Sequence, residues 1–206
     1  MKIKPYKTLK CYNEGELKEN KSVFLARAYP VSNENEVNDI LKDLKKKYYD
    51  ASHHCYAFRL LSGKIKYSDA SEPSGTAGIR ILNAIDHYEL QDCLIAVIRY
   101  YGGTKLGVGP LGKAYYTAAI QAIPDSNMIT KHPYIQMKIT SPISSLDKLR
   151  RIITLNRIAV IETSYDCETQ VKCLIPYDSV EKVEQQIKGI FKEEVVFSSK
   201  KEIFYK

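Results

Sequence analysis

The chain has 206 residues, of which 44% are hydrophobic and 27% are charged. This is the composition of an ordinary globular protein, long enough for one large domain or two small ones. Its net charge of +7 favours acidic partners. Residues 1–124 carry 18 basic and 13 acidic side chains, a balance of +5, whereas the remainder carries 13 and 11, a balance of +2.

Targeting and redox features indicate a cytoplasmic protein. The N-terminus lacks the apolar core of a signal peptide, and no apolar run approaches the roughly 18 residues that span a bilayer. We therefore expect no membrane partner. The five cysteines form no CxxC pair, so they indicate neither a disulfide framework nor a zinc site. We predict free and mostly buried thiols, with Cys93 as the clearest example.

The N-terminal region predicts two strands followed by a helix. Residues 3–12 and 16–29 have strand character, and the polar Asn-Glu-Gly at 13–15 predicts a turn between them. Asn33 and Glu36 have the spacing of a capping box, so a helix should begin there. Its apolar face is Val37, Ile40, Leu41, Leu44 and Tyr48. Lysines 45–47 fall in its last turn, and we interpret them as a solvated helix end, with contact to a polyanion as the alternative.

Two adjacent histidines open the next predicted strand. Neighbouring side chains in a strand point to opposite faces, so His53 and His54 do not favour a shared metal ion, and we predict no metal site. One histidine is expected inside and the other at the surface. A Ser-Gly turn then leads to a second strand around Ile65 to Tyr67.

A Glu-Pro-Ser-Gly-Thr segment at 72–76 precedes a second predicted helix. We expect the hydroxyl of Ser74 or Thr76 to cap this helix and Glu72 to lie where the helix dipole favours negative charge. The functional alternative brings this helix start beside the next one, so that Ser74, Thr76, Arg99 and Lys105 converge. A nucleophilic Ser74 is less well supported, because it lies outside a GxSxG elbow.

The stretch from Cys93 to Ala119 predicts a strand buried on both faces, a glycine-rich loop and a helix that begins near Pro110. Free N–H groups at a helix start attract anions, and residues 93–124 contain three basic and no acidic side chains. These features favour a phosphate or nucleic-acid site, whereas a tight crossover against the sheet is the alternative. The predicted site comprises Arg99, Tyr100, Tyr101, Gly102, Gly103, Lys105, Gly107, Gly109 and Lys113.

A turn cluster after Pro124 predicts a boundary between domains at 1–124 and 125–206. The second half predicts strands near 131–140, 157–165, 168–176 and 194–205, with a tight Asp-Cys turn between the middle two. The inner faces of its two helices are Leu146, Leu149, Ile152 and Ile153, and then Val180, Val183, Ile187 and Ile190. This order is that of a ferredoxin-like domain. We thus expect two α+β domains, with the helices of the first on one face of its sheet.

The motifs at 72–78 and 99–107, EPSGTAG and RYYGGTKLG, resemble those of the IMPACT family and its bacterial YigZ-like members. The resemblance implies a first domain similar to domain 2 of ribosomal protein S5 and a second similar to the ferredoxin-like domain V of elongation factor G. Three places depart from the family pattern: residues 70–71, Pro110 and residues 112–113. The resemblance implies that the shared motif set includes the following residues: His53, His54, Glu72, Ser74, Gly75 and Thr76.

Three classes of function fit these features. The first is an RNA-, nucleic-acid- or ribosome-binding protein in which basic side chains contact phosphates and Tyr100 or Tyr101 stacks on bases. The resemblance implies a link to translation, because eukaryotic relatives restrain a starvation-sensing initiation-factor kinase through protein partners. The second class is a protein-interaction module in translation or stress response. An enzyme acting on a phosphate-bearing small molecule ranks third, because no clear base, nucleophile or metal cluster is present, and no cofactor is predicted.

Overall fold

The computed structural model describes residues 3–165, 167–191 and 196–206. The chain divides into two compact units, one spanning Tyr6–Thr130 and the other including Lys131–Lys206. This division falls shortly after the turn cluster at Pro124. Within the described residues, every helix is too short or too polar to cross a membrane.

The first unit is built on a five-stranded antiparallel sheet in the order β2-β3-β6-β4-β5. A short strand β1 pairs with β7 in a separate two-stranded sheet. The strands are β1 (Tyr6–Leu9), β2 (Asn13–Glu19), β3 (Ser22–Pro30), β4 (His53–Arg59), β5 (Ile65–Ser68), β6 (Cys93–Tyr100) and β7 (Met128–Lys131).

Three helices cover both faces of this sheet: α1 (Glu34–Lys47), α2 (Gly78–His87) and α3 (Val108–Gln121). Central strand β6 alternates between two cores, as its apolar run predicts. Cys93, Ile95 and Val97 pack in the core that contains α2 and α3, whereas Leu94, Ala96 and Ile98 pack in cores beside α1. The expectation that helices cover one face is therefore wrong, because the apolar stripe of α1 buries the second face.

Helix α1 begins as its capping box predicts. Asn33 is the N-cap, and its side-chain oxygen accepts a hydrogen bond of 3.0 Å from the Glu36 N–H. The Glu36 carboxylate in turn accepts a bond of 2.7 Å from the Ser32 N–H. One of the unpaired N–H groups of the first turn is thereby satisfied, and the Glu36 carboxylate binds the N–H of the residue before the cap and not that of Asn33 itself.

The predicted turn at residues 13–15 is wrong, because all three residues lie within β2. The turn is instead at Asn20 and Lys21, which both adopt positive φ angles, as tight hairpins between β-strands require. Gly15 serves close packing rather than a turn. A Cβ atom there would lie only 2.8 Å from the backbone nitrogen of Ala122, just after α3.

The second unit has the predicted βαββαβ order, and its four-stranded sheet runs β11-β8-β10-β9. The buried core includes Leu149, Ile152, Val183 and Ile187, as expected. Ile190 is a wrong core prediction, because its side chain is 49% exposed and Phe191 is buried instead. The predicted Asp-Cys turn and start of the last strand fall partly outside the described residues. The elements are β8 (Pro133–Ser141), α4 (Leu146–Leu155), β9 (Ala159–Tyr165), β10 (Thr169–Pro176), α5 (Val180–Phe191) and β11 (Val196–Tyr205).

Candidate functional site

The glycine loop, defined here as residues 101–107, connects β6 to α3 and lies largely in solvent, and Gly109 lies in the first turn of α3. Gly103 and Gly107 adopt φ angles of +83° and +79°, which side-chain-bearing residues rarely adopt. Gly102 has a different role. A Cβ atom there would lie 2.1 Å from the carbonyl carbon of Lys21, so only glycine lets the β2–β3 turn touch the loop.

Four exposed basic side chains lie at this loop or on the helices next to it, and we call them the basic face: Lys21, Arg80, Lys105 and Lys113. Lys21 lies beside the loop because its backbone contacts Gly102, and Arg80 lies against Gly112 in α3. Within the described parts of the chain, none of the four has a carboxylate within 4 Å. Their positive charge is therefore open to an anionic ligand.

Arg99 is not part of this exposed face, contrary to its predicted role as a phosphate contact. The residue is only 4% exposed, and its guanidinium Nη1 donates a hydrogen bond of 2.6 Å to Glu72 Oε1. Its Nη2 donates to the Ser22 hydroxyl at 3.3 Å. The opposite charge of Glu72 compensates Arg99 inside the protein, so Arg99 links the two sequence motifs beneath the loop.

Buried Tyr115 and Cys55 and half-buried His53 lie next to this ion pair, and we call the five residues the polar cluster. The Tyr115 hydroxyl donates to Glu72 Oε1 at 2.7 Å, and the Cys55 sulfur lies 3.4 Å from that hydroxyl. Burial raises the pKa of the Cys55 thiol to about 12 and also raises the pKa of Tyr115. Both groups therefore stay protonated at neutral pH, which makes Cys55 a poor nucleophile.

The two histidines point to different surroundings, as their adjacent positions predict, but both are half-buried, so the expectation of one inside and one at the surface is wrong. His53 Nδ1 lies 3.0 Å from the Ala70 carbonyl oxygen, so this nitrogen carries the proton, and Nε2 lies 3.7 Å from Glu72 Oε1. His54 Nε2 instead lies 3.0 Å from the Tyr48 carbonyl oxygen. Burial lowers the pKa of His54. Only His53 is near the polar cluster.

The start of α2 is capped by Asp69 and not by Ser74 or Thr76. The Asp69 carboxylate accepts hydrogen bonds of 2.8–3.0 Å from the N–H groups of Gly75, Ala77 and Gly78. Partial burial alone would raise the pKa of Asp69, but these three bonds outweigh it and lower the pKa. The buried Thr76 hydroxyl donates to the Pro73 carbonyl, whereas Ser74 is exposed.

Glu72 likewise does not serve the helix dipole, because its carboxylate is engaged inside the polar cluster. Asp69, Lys21, Arg80, Cys55 and Tyr115 were not singled out from the sequence as site residues. Their proximity to the loop or cluster is set by tertiary packing, and no local motif in the sequence marks it.

The two candidate tyrosines lie in different surroundings, Tyr100 at the end of β6 and Tyr101 in the loop after it. Tyr101 is 45% exposed, and the Arg99 guanidinium carbon lies 5.4 Å from its ring centroid. Tyr100 packs beside the core near α1, and its hydroxyl donates to Asp50 at 2.9 Å. Of the pair, Tyr101 is therefore the ring available beside the basic face.

The fold and site define a two-domain α+β protein with an exposed, basic glycine loop in its first domain. Residues 20–123 match the family model for the Impact N-terminal domain, and the chain belongs to the IMPACT family. It is 29% identical over 162 residues to IMPACT family member YvyE of Bacillus subtilis (strain 168), covering 78% of this chain and 75% of that protein. The predicted family is confirmed.

A further relative agrees with this assignment, and a solved structure agrees with the fold. The chain is 26% identical over 140 residues to IMPACT family member YigZ of Escherichia coli (strain K12), covering 66% of this chain and 69% of that protein. A crystal structure of a hypothetical protein superposes with a TM-score of 0.68, covering 98% of this chain and 100% of that one. At 20% identity, this likeness concerns the fold alone.

Proposed function

We propose that the protein binds RNA through the basic face and acts in translation in the cytoplasm. The observation that carries this proposal is the set of four exposed cations at the glycine loop and on the adjoining helices α2 and α3. Lys21, Arg80, Lys105 and Lys113 come from separate segments of the chain, yet they have no carboxylate partner among the described residues. Such side chains suit the phosphates of a nucleic-acid backbone.

The start of α3 adds donors to these cations. Its N-cap, Gly107, offers no side-chain cap, and the first turn contains no acidic residue. At the start of α2, by contrast, Asp69 already occupies the corresponding N–H groups. The free N–H groups and dipole of α3 therefore favour an anion at the exposed loop.

Tyr101 supports a single-stranded ligand. Its ring is partly exposed beside the loop and lies near the buried Arg99, which restrains it through a cation–π contact. Bases that are not paired can stack on such a ring, whereas bases inside a duplex cannot. The link to translation is supported by membership of the IMPACT family, given what the resemblance implies for eukaryotic relatives.

Fluorescence anisotropy with a labelled single-stranded RNA and a matching DNA tests this proposal. Lys105→Glu/Lys113→Glu should weaken binding more than tenfold and reduce the salt slope by about 1.4, since each phosphate contact contributes roughly −0.7. Lys148→Glu/Lys182→Glu makes the same charge change on exposed lysines of the second unit and serves as the control. Arg99 is unsuitable for substitution because it is buried.

Tyr101→Ala should weaken RNA binding at least about fivefold, because one base loses its stacking partner. Circular dichroism would establish that every variant is folded. The proposal is overturned if RNA does not bind at tens of micromolar protein in low salt. It is also overturned if the control lysine pair matters as much as Lys105 and Lys113, since binding would then follow net charge alone.

A further inference from the structure

A second cationic surface lies on the opposite side of the sheet from the basic face. It is a groove of about 640 Å³ beside α1, and we call it the α1 groove. Helix α1 contributes Lys42, Lys45 and Lys46, Tyr49 lies one residue past the helix C-cap, and Tyr56 comes from β4. The volume is within the range of small-molecule sites, about 300–1,000 Å³.

The lysines of the groove concentrate positive charge on one side of α1. Positions 42, 45 and 46 follow the helical spacing that places side chains on a common face, and Tyr49, beyond the helix end, also lines the groove. Lys42 and Lys45 have no carboxylate within 4 Å among the described residues, and Lys46 has only a solvent-exposed contact of 4.0 Å with Asp43. None of the residues lining the groove is acidic.

Two aromatic rings accompany these cations. Tyr49 is 84% exposed, so its ring gains almost nothing from packing within the protein. Tyr56 is half-buried against the cores beside α1, which fixes its position. Neither phenol hydroxyl forms a hydrogen bond with another side chain or with the backbone in the described part of the chain.

From this combination we infer that the α1 groove binds a nucleotide. The lysine ammonium groups bind the phosphates, and the base stacks on Tyr49 at the rim of the groove. The fixed ring of Tyr56 gives the base a second contact. An inorganic anion would use the lysines but leave both rings without a role. This site goes beyond the proposed function, because α1 packs on the sheet face opposite α2 and α3, so either site can be tested without the other.

Calorimetric titration of the full chain with ATP, inorganic tripolyphosphate and adenosine in low salt tests the requirement for both parts of a nucleotide. ATP should bind at least about fivefold more tightly than tripolyphosphate, because stacking adds to the charge interaction. Adenosine, which lacks phosphate, should bind much more weakly than ATP. Binding of ATP and tripolyphosphate with equal and substantial affinity overturns the inference, because the groove would then be a simple anion patch.

Substitutions assign the binding to the groove. Lys42→Gln/Lys46→Gln should weaken ATP binding more than tenfold, whereas Lys148→Gln/Lys182→Gln should not. Tyr49→Ala should weaken ATP binding about fivefold but leave tripolyphosphate unchanged, with Tyr165→Ala as the control for an exposed tyrosine. Because these side chains are exposed, their loss should leave the fold intact.

The nucleotide can be free or part of an RNA strand, and a labelled single-stranded RNA distinguishes these sources. If Tyr49→Ala weakens ATP binding but not RNA binding, the ligand is a free nucleotide. If it weakens RNA binding at least fivefold while ATP binds poorly, the ligand is a residue of the strand. If neither ATP nor RNA binding responds to the groove substitutions, or an acidic peptide competes equally with ATP, the inference is wrong.

Discussion

Replacing Glu72 with leucine is expected to leave the Arg99 guanidinium charged, buried and without its carboxylate partner. The two side chains are only 4% and 5% exposed, so water cannot replace the lost partner. The Tyr115 hydroxyl also loses its hydrogen-bond acceptor. Breaking a buried ion pair by removing one partner costs about 3–5 kcal/mol, a large part of the roughly 5–15 kcal/mol that stabilises a domain.

Hydrogen exchange of β6 measures this cost within the first unit alone. The amides of this central strand are expected to exchange only when the unit unfolds. Destabilisation of 3–5 kcal/mol should therefore speed their exchange by about two to nearly four orders of magnitude, at roughly tenfold per 1.4 kcal/mol. Glu16→Gln is the control, because Glu16 pairs with Lys18 in solvent and exposed pairs contribute about 0–1 kcal/mol.

A double variant separates charge burial from general damage to the core. Glu72→Leu/Arg99→Met removes both charges, so most of the stability lost in Glu72→Leu should return. Exchange in Glu72→Leu that is no faster than in Glu16→Gln would refute the reasoning, because the pair would not be desolvated. Additive losses in the double variant would refute it as well, because the two side chains would not be coupled.

Three further perturbations test the backbone and titration arguments. Gly102→Ala should lower the free energy of unfolding in urea by about 1–3 kcal/mol, because the new Cβ would overlap the β2–β3 turn. Gly109→Ala is the control, because a Cβ there meets open space and should not destabilise the protein. Equal effects of the two substitutions would contradict this. Asp69→Ala should cost about 1–2 kcal/mol at pH 7 through loss of the α2 cap. Because folding lowers the Asp69 pKa, the stability difference between the wild-type protein and Asp69→Ala should be present above about pH 4 and disappear as pH falls through the lowered pKa. A stability difference that does not change with pH would contradict this. A thiol reagent should modify exposed Cys11 in the folded protein but should react with Cys93 only after unfolding, because Cys93 is buried and burial raises its pKa to about 12. Equal rates of modification at the two cysteines would contradict this.

Elements specified by neighbouring residues could be predicted from the sequence. The α1 capping box lies within four positions, and the structure reproduces its hydrogen bond from the Glu36 N–H to the Asn33 side chain, whereas the Glu36 carboxylate binds the Ser32 N–H, one residue before the cap. The apolar run of β6 predicted burial on both faces, and its side chains do alternate between two cores. The βαββαβ order of the second unit follows from local periodicity in the same way.

The chemistry around the glycine loop could not be predicted, because it depends on residues distant in sequence. Arg99 is buried in an ion pair with Glu72, which lies 27 positions earlier in the sequence. Asp69 caps α2 from eight and nine positions before the N–H groups of Ala77 and Gly78, outside the reach of a local capping motif. Lys21 joins the basic face only because the β2–β3 turn packs on Gly102.

The buried ion pair also has a consequence for the accuracy of strand pairing during folding. Arg99 lies opposite Phe24 in β3 and His53 in β4. A slip of β6 by one residue would turn every side chain over, moving the guanidinium to the apolar side of Ile98 and away from Glu72. Correct and shifted pairings would differ little if β6 were wholly apolar, since both of its faces are buried. Arg99, at the end of β6, favours the correct alignment, because only in that alignment is its buried charge paired with Glu72.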